Sequence, residues 1–236
     1  MCVNVLARIP TGCKTIDRFL GGGIPSESLC LVYGEAETGK STFALQCAVN
    51  CAGLGYKTLY IDCDGMFSAK RLFQIASGKF EEAAGLIILM KPTGFEEQTI
   101  LIDRLASYVS GSFGLVVVDT ITSLYRLEVS KYPSKAFKLN RELNTQLASL
   151  AQVAKIQRVA VLAVSQVRTA FKEDHVSIEP VATRVLKFWA DTVIKMKPTE
   201  IPQMVRAIIE KALPKAPPQT YNLRLEETGI HEYPVR

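Results

Sequence analysis

Residues 34–41 read Gly-Glu-Ala-Glu-Thr-Gly-Lys-Ser: two glycines with four residues between them, then a lysine and a hydroxyl. No other stretch constrains the fold as tightly. Leu29–Tyr33 before it is an apolar run of strand length, and Thr42-Phe43-Ala44-Leu45 after it opens an amphipathic helix. Strand, glycine loop and helix start in that order make a phosphate cradle, the P-loop. The glycines let backbone N–H groups turn inward and come close to phosphate oxygens. The helix start adds free N–H donors and the positive end of its dipole. Gly34, Glu35, Ala36, Glu37, Thr38, Gly39, Lys40, Ser41 and Thr42 would then surround the phosphates. Lys40 would reach the β- and γ-phosphates as a point charge, and the Ser41 hydroxyl would take a place on Mg2+. ATP with Mg2+ is the expected ligand.

Such a loop needs a sheet behind it, and the pattern supplies one. Short apolar runs alternate with amphipathic stretches, as βαβ units do. Strands are expected near 29–33, 57–62, 86–90, 115–119 and 159–164, and helices near 40–53, 68–77, 95–109 and 138–156. The last helix carries Leu143, Leu147, Leu150, Ala151 and Ala154 at helical spacing, so it covers a sheet face. Beyond about residue 185 the texture changes. Leu186–Met196, Met204–Glu210 and Tyr221–Leu225 read as strands parted by Lys197-Pro198 and Pro214–Pro218, with no helix among them. They are expected to extend the sheet edge antiparallel. With no repeat and no linker, 236 residues make one α/β domain with a mainly parallel sheet.

Three further elements run into polar residues where a parallel sheet would meet the phosphates. Leu115-Val116-Val117-Val118 ends in Asp119, the position at which P-loop proteins hold magnesium. Leu59-Tyr60-Ile61 leads to Asp62, Cys63 and Asp64 before Gly65. An acid there orients the attacking water, or the two aspartates form a solvated turn; the pattern does not choose. Ala163-Val164-Ser165 delivers Gln166, whose amide can sense a γ-phosphate by hydrogen bonding. A lone glutamine is also an ordinary surface residue.

Composition excludes several classes. Lys and Arg number 28 against 23 Asp and Glu, a net +5 that is compatible with nucleic acid but too mild to argue for it. Six cysteines form no C-x-x-C pair and only two histidines exist, so zinc-ligand spacing is absent. Cys30, Cys47 and Cys51 read as small buried hydrophobes. No apolar run approaches the ~18 residues of a membrane span. The N-terminus lacks the pattern of a secretory signal, so a cytoplasmic protein is expected.

Together these elements resemble the RecA/RadA recombinase family. The lead-in from Thr11 to Pro25, with Gly21-Gly22-Gly23, is similar to the family's approach to its P-loop. Tyr60–Phe67, Leu115–Arg126 and Val161–Val167 each resemble a family motif, so the likeness spans about residues 8–168. It implies a RecA-like core in which Asp119 holds magnesium, Asp64 is the water-orienting base and Gln166 senses the γ-phosphate. With only about ten residues ahead of the core, the family's N-terminal DNA-binding domain is not expected. The resemblance is then to core-only archaeal paralogues of RadB type. These imply an ATP- and DNA-binding mediator or regulator of homologous recombination and DNA repair, working with a RadA-type recombinase. A signalling ATPase of the same fold without a DNA role, KaiC-like, is the alternative. The family's catalytic glutamate matches Asp64, which is shorter by about 1.5 Å, one carbon–carbon bond. Misplacement on that scale costs on the order of 10²-fold in rate, so the expected ATPase is weak. Phe73-Gln74-Ile75-Ala76 matches the letters of the family's polymerisation motif, and core packing is the expected explanation.

From Arg126 to Arg141 the chain carries Arg126, Lys131, Lys135, Lys138 and Arg141 against one acid, Glu128, with Tyr132 and Phe137 between them and Tyr125 just before. Basic groups interleaved with aromatics suit single-stranded DNA; a solvated loop has the same composition. The resemblance implies the first DNA-binding loop here. It implies a second within about Arg168–Arg184, with Arg168 as a contact. That stretch is nearly neutral and lacks the family's glycines, which argues against strand exchange by this chain alone.

Overall fold

Both cores of this protein are built by strands that are buried at every position. In β3 (Leu29–Gly34) all six residues are buried, and in β6 (Phe113–Asp119) all seven. Such runs require cover on both faces. Cys30, Val32, Leu115 and Val117 join one core, while Leu31, Tyr33, Val116 and Val118 join the other. The structure, a computed structural model, describes residues 6–172, 175–180 and 182–233.

The chain opens with β1 (Arg8–Ile9), α1 (Lys14–Phe19) and β2 (Ile24–Pro25), then β3 and α2 (Lys40–Gly53). Next come β4 (Lys57–Asp62), α3 (Ala69–Ala76), α4 (Phe80–Leu86) and β5 (Ile87–Met90). α5 (Phe95–Asp103), α6 (Leu105–Tyr108), β6, α7 (Ser123–Lys131), a 3-10 turn at Pro133–Lys135 and α8 (Ala136–Gln157) follow. The remainder is β7 (Ala160–Lys172), β8 (His175–Pro180), α9 (Thr183–Trp189), β9 (Thr192–Pro198), β10 (Met204–Lys211), β11 (Gln219–Glu226) and β12 (Gly229–Glu232).

The main sheet has the order β12-β11-β10-β9-β3-β7-β6-β4-β5, with β8 pairing the far end of β7. The strands from β9 to β5 are parallel, and β10, β11 and β12 are antiparallel. α2 lies in one core with Phe43, Ala44, Cys47 and Ala48 buried. α8 lies in the other, burying Leu143, Leu147, Leu150 and Ala154 as its spacing predicts. Cys30, Cys47 and Cys51 are fully buried, and burial pushes the Cys51 thiol up to about 11.

Four expectations need correction. The stretch from Leu186 begins as helix α9 rather than strand; Leu186 and Ala190 bury at helical spacing, and a short apolar run does not distinguish the two. β9, the strand that follows, is parallel to β3, so only β10 to β12 form the antiparallel edge. The helix expected over 95–109 breaks at Arg104, whose carbonyl accepts a 2.7 Å hydrogen bond from the Ser107 hydroxyl. Phe73 is 60% exposed and meets Phe80 edge-on, so core packing explains Ile75 and Ala76 but not Phe73.

Candidate functional site

Strand register brings the polar residues to one edge. Gly34 pairs with Gln166 on β7, and Asp62 pairs with Asp119 on β6. Gly34 admits no side chain, because a Cβ there would stand 2.1 Å from the Met196 carbonyl oxygen of β9. Gly39, at φ 84, turns the loop into α2. Thr38 donates to the Glu35 carbonyl at 2.8 Å and closes the loop on itself. Lys40 lies beneath, donating to the same carbonyl and to the Thr38 hydroxyl. Burial lowers the Lys40 ammonium, while the negative charges of Asp119, Asp64 and Glu35 raise it. A cavity of about 330 Å³ opens above, lined by Glu37, Gly39, Lys40, Ser41, Thr42, Arg71 and Leu225.

Asp119 is 6% exposed at the end of β6. Its Oδ2 accepts a 2.7 Å hydrogen bond from Tyr60, whereas its buried Oδ1 has no hydrogen-bond partner. Burial raises the carboxyl, the Tyr60 hydrogen bond and the nearby Ser41 hydroxyl pull it down, and the charges of Asp64 and Asp62 raise it further. A buried carboxylate oxygen left without a donor is costly unless a cation comes to it. With the Ser41 hydroxyl beside it and Lys40 within electrostatic reach, the oxygen set fits a hard divalent cation held against phosphate.

The two acids after β4 do different things. Asp62 is buried and accepts the Met66 and Phe67 N–H groups at 3.0 Å each, with Lys91 3.5 Å away. It shapes the turn. Asp64 is half-buried and receives a 3.5 Å contact from Gln166 Nε2, while Gln166 Oε1 accepts a 2.6 Å hydrogen bond from Arg126. Two interactions at this edge were not read from the sequence. Tyr60 meets Asp119 only through cross-strand packing. Arg71 forks onto the Glu226 and Glu227 carbonyls at 2.7 Å each, tying α3 to the β11–β12 turn. Neither interaction has a sequence signal, because the partners lie far apart in the chain.

Comparison with known proteins places this geometry. The sequence matches the Rad51 family over residues 3–233. The chain belongs to that family. It is 34% identical to the DNA repair and recombination protein RadB of Thermococcus onnurineus, over 95% of this chain and 97% of that one. The protein of the same description from Methanosphaera stadtmanae is 29% identical, with 94% of each chain covered. Among solved structures, a crystal structure of the RadB recombinase superposes with a TM-score of 0.80 at 31% identity, covering 96% of this chain and all of that one. The RecA-like fold expected from the motifs is therefore present, and so is the likeness to RadB.

For a Rad51-family member the basic segment is more ordered than its composition implied. Arg126 and Lys131 lie on α7, Lys135 ends the 3-10 turn, and Lys138 and Arg141 lie on α8. Tyr125 is buried, donating to Asn140 at 2.7 Å and packing edge-on against Phe95, so it is no stacking platform. Tyr132 and Phe137 are exposed, and Lys135 sits 4.4 Å over the Tyr132 ring. Lys138 pairs with Glu142 at 3.6 Å, a surface ion pair of small energy. The stretch after Gln166 continues as β7 and returns as β8 instead of forming a long loop. Arg168 lies on β7, and its side chain is outside the described residues. No helix among the described residues is long and apolar enough to cross a membrane.

Proposed function

We propose that this chain is an ATP- and DNA-binding recombinase paralogue, built as a single RecA-like core, that mediates or regulates recombinational repair beside a RadA-type recombinase. The observation that carries the nucleotide part is the orphaned, buried Oδ1 of Asp119 next to Ser41 and Lys40. The loop Gly34–Thr42 offers its N–H groups to phosphate, and Lys40 leaves the Glu35 carbonyl for the β- and γ-oxygens. Bound magnesium, held by Ser41 and Asp119, would neutralise phosphate charge. Asp64 orients water and Gln166 senses the γ-phosphate.

Turnover is slow in this reading because Asp64 falls one methylene short. Single-stranded DNA runs over α7 and α8, neutralised by Arg126, Lys131, Lys135, Lys138 and Arg141, with Arg168 beyond and Tyr132 and Phe137 free to stack. The relatives' names, DNA repair and recombination proteins, support the pathway.

The test is ATP binding and hydrolysis with and without single-stranded DNA, beside a Lys40→Ala control. Binding lost in the control, with weak DNA-stimulated turnover in the natural chain, is the expected outcome. Failure to bind DNA near physiological salt would remove the DNA role and favour a signalling ATPase.

A further inference from the structure

Gln166 is held from both sides, unequally. Its Oε1 accepts from the Arg126 guanidinium at 2.6 Å, and its Nε2 reaches Asp64 Oδ2 at 3.5 Å. The first is a short, charge-assisted bond between a cation and an amide oxygen; the second lies at the outer limit of a hydrogen bond. The cation therefore decides which way the amide faces. While it holds, the acceptor of Gln166 points to α7 and its donor is directed at Asp64. An amide fixed in this way directs one of its two N–H groups at Asp64 and is not free to turn toward a phosphate. It also crowds one of the two oxygens with which Asp64 would hold water.

Arg126 is exposed and starts the segment that carries Lys131, Lys135, Lys138 and Arg141. A guanidinium prefers the anionic oxygens of a phosphodiester, which it grips with two N–H groups, to a single neutral amide oxygen. Polyanion entering this segment competes for the same donors. We propose that Arg126 is a positioning residue that keeps Gln166 in an idle orientation, and that a phosphate of bound single-stranded DNA draws Arg126 away and frees Gln166 for the nucleotide. This rests on the reading of the site as an ATPase with DNA over α7 and α8. The coupling runs in both directions, so nucleotide that captures Gln166 makes Arg126 available and tightens DNA.

The experiment compares Arg126→Met, Arg126→Lys and the double variant Arg126→Met/Gln166→Leu with the natural chain. Each is tested by ATP titration, by steady-state hydrolysis with and without single-stranded DNA, and by salt-dependent DNA binding. Arg126→Met is expected to raise DNA-free kcat roughly three- to tenfold, the reach of one partly exposed charge-assisted bond. KM for ATP stays unchanged, since Arg126 does not touch the nucleotide. DNA gives no further stimulation. Arg126→Lys keeps the charge but not the fork; it retains most DNA affinity and still shows the raised DNA-free rate. The gain vanishes in the double variant, because it acts through Gln166.

DNA-free turnover that stays low in Arg126→Met, with stimulation preserved, overturns the inference. So does a gain that survives the loss of Gln166, or a chain that binds ATP and hydrolyses it in no variant. Absence of ATP binding in the titration instead overturns the functional reading, and the two failures are thereby distinguished.

Discussion

The glycine-loop edge of the sheet and the basic segment are built on opposite principles. At the edge, backbone and side chains are fixed several times over. Gly34 is pressed on Met196, Thr38 closes the loop, and Asp62 caps two N–H groups so that Asp64 is presented at a set place. Along the basic segment the charged groups stand in solvent, and the order lies beneath them, in Tyr125 and its bond to Asn140. The edge is suited to a ligand of one shape. The segment is suited to a ligand of one charge. Arg126 joins the two through Gln166.

Substitutions should separate these principles, and the largest effect belongs to the edge. Lys40→Ala is expected to weaken ATP binding by about 10²-fold or more, because truncating a partly buried charged partner of phosphate costs ~2–5 kcal/mol. Isothermal titration reads this directly, and an unchanged affinity would remove the P-loop assignment. Gly34→Ala places a carbon against the Met196 carbonyl and is expected to cost about 3 kcal/mol in denaturant unfolding. Near-neutral behaviour would mean that β9 yields without loss.

Asp64→Glu tests the other side of the pocket, since lengthening the carboxylate should accelerate hydrolysis by about tenfold, a fraction of what misplacement can cost. No acceleration would mean that Asp64 is not the base that limits the rate. On the basic segment effects should be smaller and graded with salt. Alanine at Lys131, Lys135 or Arg141 is expected to lower the slope of log affinity against log salt by about 0.7 for each single-strand phosphate left unneutralised. Phe137→Ala should weaken binding without changing that slope. A reduced slope at Phe137, or an unchanged one at the cations, would break the contrast between the two regions.

The site was legible in the sequence where its chemistry is local. Gly34–Ser41 and Val116–Asp119 each state their surroundings in a few consecutive residues, and the structure brings them together at one sheet edge. Asp62 and Asp64 were left open because a turn-capping acid and a catalytic acid look alike in a strand-to-turn sequence. The family resemblance pointed to Asp64, and the structure adds that Asp62 receives two N–H groups and shapes the turn. Tyr60 on Asp119 and Arg71 on the β11–β12 turn were not legible, being products of tertiary packing. Misreading α9 as strand came from a short apolar run with Val185, Leu186 and Trp189, in which both periods fit. In the basic segment the charges drew attention to a loop, while Leu124 and Tyr125 were already burying one face of α7.

The smallest expected effect is the one that best shows what the edge costs. Burial raises the Asp119 carboxyl above its ordinary range, so the folded chain binds this proton more tightly than the unfolded chain does. Stability must therefore fall as pH rises from the unfolded value, about 4, through the raised folded value, and remain lower above it. Asp119→Asn keeps the shape and an acceptor for Tyr60 but has no charge to bury. Without metal or nucleotide it should melt higher at neutral pH, by about 1 kcal/mol, or roughly 2–4 °C for a chain of this size. The gain should close at acid pH, where the natural carboxyl is protonated. With magnesium and ATP present the order should reverse, because only the natural chain gains the ligand's stabilisation. Equal melting of the ligand-free chains at neutral pH would mean that the folded protein already compensates the charge. The orphaned oxygen would then no longer mark a place kept for a cation.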